Sequence, residues 1–180
     1  YGDPWQLINV FDRTDNKPGK VVCEGYAKAF QFLCDLSSFA DGTQCYLVTG
    51  YTPKNKDSVL NSEGHMWNIV HMKNANDENY QNYIVDVTNY DQSEAVDTAM
   101  FLWGGEGSPT TGYTINFTNG SNGVYYTYKT PDGTFDYGVY DVSDLTLAET
   151  PYQPPKPKPT ITFKSSYDDG FIFTYSGSPR

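Results

Sequence analysis

Polar and apolar positions change period along the chain, and each change marks an element. Glu24, Lys28, Gln31 and Asp35 are spaced four, three and four apart, while Tyr26, Ala27, Phe30, Leu33 and Cys34 fill the other side. This 3.6-residue period predicts an amphipathic helix starting at or just after Cys23 and ending near Leu36, with Glu24 and Lys28 as an i,i+4 pair in the favourable order. A shorter helical piece is predicted at Trp5–Phe11, joined to it by the polar, turn-forming Asp12–Lys20. Gln44–Tyr51, His65–Met72 and Tyr83–Thr88 then read as strands, separated by the polar loop Pro53–Glu63 and the polar connection Lys73–Asn82. Residues 89–112 show no sustained period and leave room for one short helix. Tyr113–Phe117, Val124–Lys129 and Phe135–Tyr140 read as further strands, and the turns TNGSNG and TPDG between them predict hairpins.

Five prolines in residues 151–159 predict an extended, semi-rigid linker. Beyond it, 160–180 reads as one more hairpin, the start of a further domain or a piece that folds back. The expected organisation is one domain over 1–150, with its motif-bearing core at about 15–92 and a β-rich continuation at 113–140. Composition agrees with a β-rich α+β class: aromatics are 16% of the chain, 16 of them Tyr, and charged residues only 19%. The net charge of -10, with 12 Lys and Arg spread along the chain, argues against a nucleic-acid partner, which needs a basic stripe. No apolar run reaches the roughly 18–20 residues of a membrane span. The chain opens at Tyr1 without an initiator Met, which reads as a matured or excised piece.

Three cysteines, Cys23, Cys34 and Cys45, exclude a fully paired intrachain disulfide framework. Cys34 and Cys45 read as core residues, with a disulfide between them as the lesser alternative. Two distant histidines offer little to a metal, so neither metal nor cofactor is expected. Cys23 stands where loop becomes helix. The unpaired N–H groups and dipole of a helix start stabilise a thiolate, and the same N–H groups suit an oxyanion. Gly25 keeps the first turn open to a substrate. A lone Cys at such a place is more often a small buried hydrophobe, but His65 supplies the imidazole a thiol nucleophile requires. Asp86 is a carboxylate inside an apolar strand, expensive to bury without a partner. A hairpin folded midway along its connection sets His65 opposite Asp86, where the carboxylate orients and charge-stabilises the ring. Gly64 makes room for the chain entering the strand, Trp67 walls the cleft on the face of His65, Asn68 points the other way onto backbone, and His71 lies too far along to take part.

KVVCEGYAKAF (20–30), GHMWNIV (64–70) and YIVDVTNYD (83–91) together resemble the three core motifs of the transglutaminase-like superfamily, closest to its bacterial members. The resemblance covers about half the chain and implies a papain-like core, its nucleophile helix packed on an antiparallel sheet that carries His and Asp. It implies Cys23 as nucleophile, His65 as base and Asp86 as orienting acid, a protein or peptide substrate, and a bacterial exported or surface setting. Two departures stand out: a longer connection between the His and Asp motifs, and Asn89-Tyr90-Asp91 where a Trp-Asp-Asp-like segment is frequent. The expected activity is acyl transfer from a peptide or glutamine-type amide through a thioester on Cys23 to water or an amine. The alternatives are a catalytically silent binding or structural module that keeps the fold, and another cysteine-peptidase class such as a cell-wall amidase.

Overall fold

A computed structural model describes residues 2–12, 21–39, 42–53, 63–75, 79–92, 100–108, 112–115, 124–128, 134, 145–154, 160–166 and 170–176. It is a mixed α+β structure with antiparallel sheets. Helix α1 (Trp5–Phe11) leads to α2 (Cys23–Asp35). A four-stranded sheet follows in the order β1 (Gln44–Tyr51), β2 (Gly64–Lys73), β3 (Tyr80–Val85) and β4 (Phe101–Trp103), with α3 (Val87–Gln92) between its last two strands. Strands β5 (Glu106–Ser108), β6 (Gly112–Ile115) and β7 (Val124–Tyr126) form a second antiparallel sheet. Strands β8 (Thr160–Ser166) and β9 (Gly170–Ser176) pair as a separate hairpin. Among the described residues no helix is long and apolar enough to cross a membrane.

The two faces of β2 do different work, as strand alternation requires. Trp67 and Ile69 join Val48 and Ile84 in the core, covered by Tyr113, Ile115, Tyr126 and Tyr128 from the second sheet and its continuation. Asn68 turns the other way, and its Nδ2 donates to the Ala27 carbonyl of α2 at 3.1 Å. The second sheet is tied to the first through a bridge between Tyr51 and Thr127, whose N–H groups and carbonyls exchange bonds of 2.8 and 2.9 Å. Glycine is required at Gly50, where a Cβ would stand 2.6 Å from the Trp67 ring and 2.7 Å from the Thr127 carbonyl.

Several expectations are corrected. The third strand ends at Val85, not Thr88, and Thr88 lies in α3. The connection expected over Lys73–Asn82 is strand at both ends: Lys73 pairs with Tyr80, and Gln81 and Asn82 pair with Met72 and His71. Side-chain pairing makes these polar positions compatible with a sheet, since His71 Nδ1 meets Asn82 Oδ1 at 2.7 Å and the His71 ring stacks on Tyr80. The connection is therefore shorter than expected, running from Asn74 to Asn79. The expected Glu24–Lys28 pair forms, with Lys28 Nζ 2.5 Å from the carboxylate, and Glu24 is also buried at 4% exposed, accepting the Gly2 N–H at 2.7 Å because the N-terminal segment reaches over it. Phe32 and Leu33, by contrast, are exposed. The beginning of the expected linker is docked, with Tyr152 N–H donating to the Leu102 carbonyl at 2.9 Å and its ring packed edge-on against Tyr83. The expected strand Phe135–Tyr140, the turns TNGSNG and TPDG, and residues 155–159 lie outside the described residues.

Candidate active site

Helix α2 runs along β2 in the same direction. Its first residue interacts with His65, its middle with Asn68, and its end lies beside Cys45, which pairs with Val70. This course brings Cys23, eleven residues before Cys34 in the chain, to the end of the sheet where β2 begins. There the Cys23 thiol hydrogen-bonds the His65 ring. His65 Nε2 lies 2.7 Å from Asp86 Oδ2, which leaves Nδ1 to the thiol. The three residues singled out in the sequence are thus brought together.

The register that joins them differs from the expected one. Asn68 stands opposite Val85, which puts Asp86 level with Trp67 and two positions from His65. An offset of two keeps the face, so the ring still reaches the carboxylate. Asp86 sits at the junction of β3 and α3, and its backbone N–H donates to the Met100 carbonyl at 2.8 Å. Its Oδ1 accepts the Asn89 N–H at 3.1 Å in the manner of a helix cap. Its Oδ2 accepts three donors at 2.7 Å each: His65 Nε2, Asn89 Nδ2 and the Tyr126 hydroxyl.

The electrostatics follow from this crowding. Asp86 is 1% exposed; burial alone pushes its carboxyl up, yet the bonds from His65, Tyr126 and Asn89 hold it below the usual range, so it is charged. For His65, burial pushes the ring down, but Asp86 and Cys23 outweigh it and raise the pKa to about 9. The imidazole is therefore held as a cation beside the thiol, the condition for a thiolate–imidazolium pair. Of the N–H groups at the helix start, Val22 donates to Gln6 Oε1 at 3.0 Å and Gly25 to the Val22 carbonyl at 2.9 Å, so neither is on offer to an oxyanion.

The expected substrate contacts are corrected. Trp67 does not wall a cleft. It is fully buried, donates from Nε1 to the Tyr113 hydroxyl at 2.8 Å, and packs edge-on against Tyr126 with ring centroids 5.0 Å apart. It supports His65 from beneath, their rings stacked at 5.9 Å. Nor does Gly25 give a substrate room: a Cβ there would meet Val21 Cγ1 at 2.6 Å and the Gln6 carbonyl at 2.7 Å, so its missing side chain lets α1 approach α2. Gly64 is exposed and a Cβ on it would meet nothing within 4 Å, so access there does not depend on glycine.

Two residues of the site escape the sequence reading. Asn89 carries a usable signal, since Asp86 followed by a helix with Asn at the third position beyond is an N-cap pattern. Tyr126, forty residues from Asp86, carries none. Among the described residues no group of three or more His, Cys, Asp or Glu is arranged to hold a metal. No protein family, no curated protein and no solved structure matches this chain.

Proposed function

We propose that this protein is a cysteine acyl-chemistry enzyme of transglutaminase-like type. The observation that carries the reading is His65 held between the Cys23 thiol and the buried Asp86 carboxylate, with the ring kept charged. In the proposed reaction the Cys23 thiolate attacks the carbonyl carbon of a glutamine-type or peptide amide. The C–N bond breaks as His65 gives its proton to the leaving amine, and an acyl thioester remains on Cys23. Neutral His65 then takes a proton from water or an amine as it attacks the thioester. The C–S bond breaks, and Cys23 leaves as a thiolate beside the re-formed imidazolium. Asp86 stays ionised throughout and fixes the ring so that Nδ1 faces the sulfur. A bacterial exported or surface setting fits the motif resemblance.

A second reading, a binding or structural module without activity, is favoured by one observation: Cys23 is only 5% exposed. Intact-mass analysis separates the two. The chain is incubated with glutamine-containing peptides, with and without a primary amine. The enzyme reading expects an acyl adduct on the wild-type chain and deamidated or amine-bearing peptide in solution, both lost in Cys23→Ser. Unchanged peptides across a varied set, with Cys23 still rapidly alkylated by iodoacetamide, favour the silent module.

A further inference from the structure

Helix α2 carries a second thiol at its other end. Cys34 and Cys45 are both free thiols and line one cavity at the contact between α2 and β1. The contact is fixed one turn earlier as well, where Gln31 Nε2 donates to the Cys45 carbonyl at 3.2 Å. Gln31 and Cys34 are three apart, so they share the helix face that meets the strand. Both thiols open onto a cavity of about 780 Å³ walled by Phe30, Leu33, Tyr46 and Phe101. Among the described residues no cationic partner comparable to His65 acts on either; burial pushes Cys34 up and Cys45 further still, and Asp35 adds to both shifts. They are thus poor nucleophiles at neutral pH, yet neighbours on one cavity and open to a reagent.

We propose that Cys34 and Cys45 form a redox-modified site, in which a small-molecule disulfide of the oxidised-glutathione class enters from the cavity and leaves a covalent bond between α2 and β1. Cys34 is the entry point, being the less buried of the two. Its thiolate attacks one sulfur of the reagent, a mixed disulfide forms on Cys34, and one reduced thiol leaves with the proton. The deprotonated Cys45 sulfur then attacks the Cys34 sulfur and expels the second reduced thiol. The protein loses two electrons and two protons, and the reagent is reduced to two thiols. The closed bond fastens the far end of the nucleophile helix without consuming Cys23.

The sequence makes the test clean, because trypsin leaves Cys34 and Cys45 together in Ala29–Lys54 and Cys23 alone in Val21–Lys28. The native full-length chain is treated with oxidised glutathione near pH 8.5, quenched with iodoacetamide and digested without reduction. The expected product is Ala29–Lys54 lighter by two hydrogens, carrying neither glutathione nor alkyl label. Cys45→Ser should instead stop at a stable glutathione adduct on Cys34. The oxidised chain should melt higher than the reduced one, by on the order of 5–10 °C for so short a loop. A lasting glutathione adduct on wild-type Cys34, a cross-link to Val21–Lys28, or full alkylation of both thiols at an oxidant level that closes the bond in the denatured chain would each overturn the proposal. The wild-type mass decides alone if Cys45→Ser does not fold.

Discussion

At the first residue of α2 a thiol meets an imidazole kept charged by Asp86; at its penultimate residue, Cys34, a thiol shares an apolar-walled cavity with a second thiol. At the far end burial raises the pKa of the Cys34 thiol. The difference lies in what each helix end is packed against. The start of α2 abuts the strand that presents His65, whose ring is anchored through Asp86 to α3 and to Tyr126 of the second sheet. The other end abuts the opening of β1 and Phe101 of β4, which present no cation to Cys34. Position on a helix therefore does not by itself set the two thiols apart; the supported cation beside Cys23 does.

Removing the cation should erase that contrast. In His65→Ala, iodoacetamide labelling of Cys23 at pH 6 should fall on the order of 10²-fold, because an unassisted thiol with a pKa near 8.5 is almost wholly protonated there. Labelling of Cys34 and Cys45 should stay as slow as before. Peptide mapping after timed labelling gives both rates in one experiment, and an unchanged Cys23 rate would break the comparison.

Asp86→Asn keeps the shape and removes the charge. Cys23 labelling at pH 6 should drop about tenfold or more while Cys34 does not change. Breaking a buried ion pair costs about 3–5 kcal/mol, so Tm should fall by roughly 10 °C. A destabilised variant with wild-type Cys23 reactivity would make Asp86 a scaffold residue only.

The pH dependence of stability sharpens the same point. His65 has its pKa raised to about 9 in the folded chain, above the roughly 6.5 of an unfolded histidine, so its contribution is full below about pH 6.5 and lost as pH rises through 9. Asp86 is lowered, so its contribution is present above the ordinary carboxylate range near 3.9 and lost as pH falls below it. Tm measured across pH should decline on both sides of this window, and Asp86→Asn should flatten both declines. Equal pH profiles for the two proteins would contradict the coupling.

The smallest effect is expected at Tyr126→Phe. It removes one of three donors to Asp86 Oδ2 and leaves the ring packed, at about 1.5–3 kcal/mol for a buried bond to a charge, or roughly 5 °C in Tm. Cys23 labelling should slow only a few-fold, with its acid limb moved to higher pH because Asp86 protonates more readily. A loss as large as that of Asp86→Asn would mean that Tyr126, not His65, governs the carboxylate.

What the sequence disclosed was local. The start of α2 at Cys23, the strand carrying His65 and the unusual charge of Asp86 all follow from periods and from the cost of burying a carboxylate. The hairpin register did not, because Lys73 and Tyr80–Asn82 look like loop until His71 is seen to pair with Asn82. Trp67 looked available because nothing within a strand says which face a later sheet will cover; Tyr113, Tyr126 and Tyr128 cover it. Nor does the period of α2 show that Glu24 is covered, since its cover is the backbone of Gly2.

The bond from Tyr126 to Asp86 has a consequence for the order in which the molecule is made. Cys23, His65 and Asp86 leave a ribosome well before Tyr126 does. Until β7 arrives, Asp86 lacks its hydroxyl donor and Trp67 lacks part of the cover that shields it from water. A nascent chain that stops short of residue 126 therefore has Tyr113 but neither Tyr126 nor Tyr128 to cover the indole, and a half-supported imidazole. Full support for the site arrives only once the second sheet closes over the first, so the nascent thiol gains its complete electrostatic partner late in synthesis.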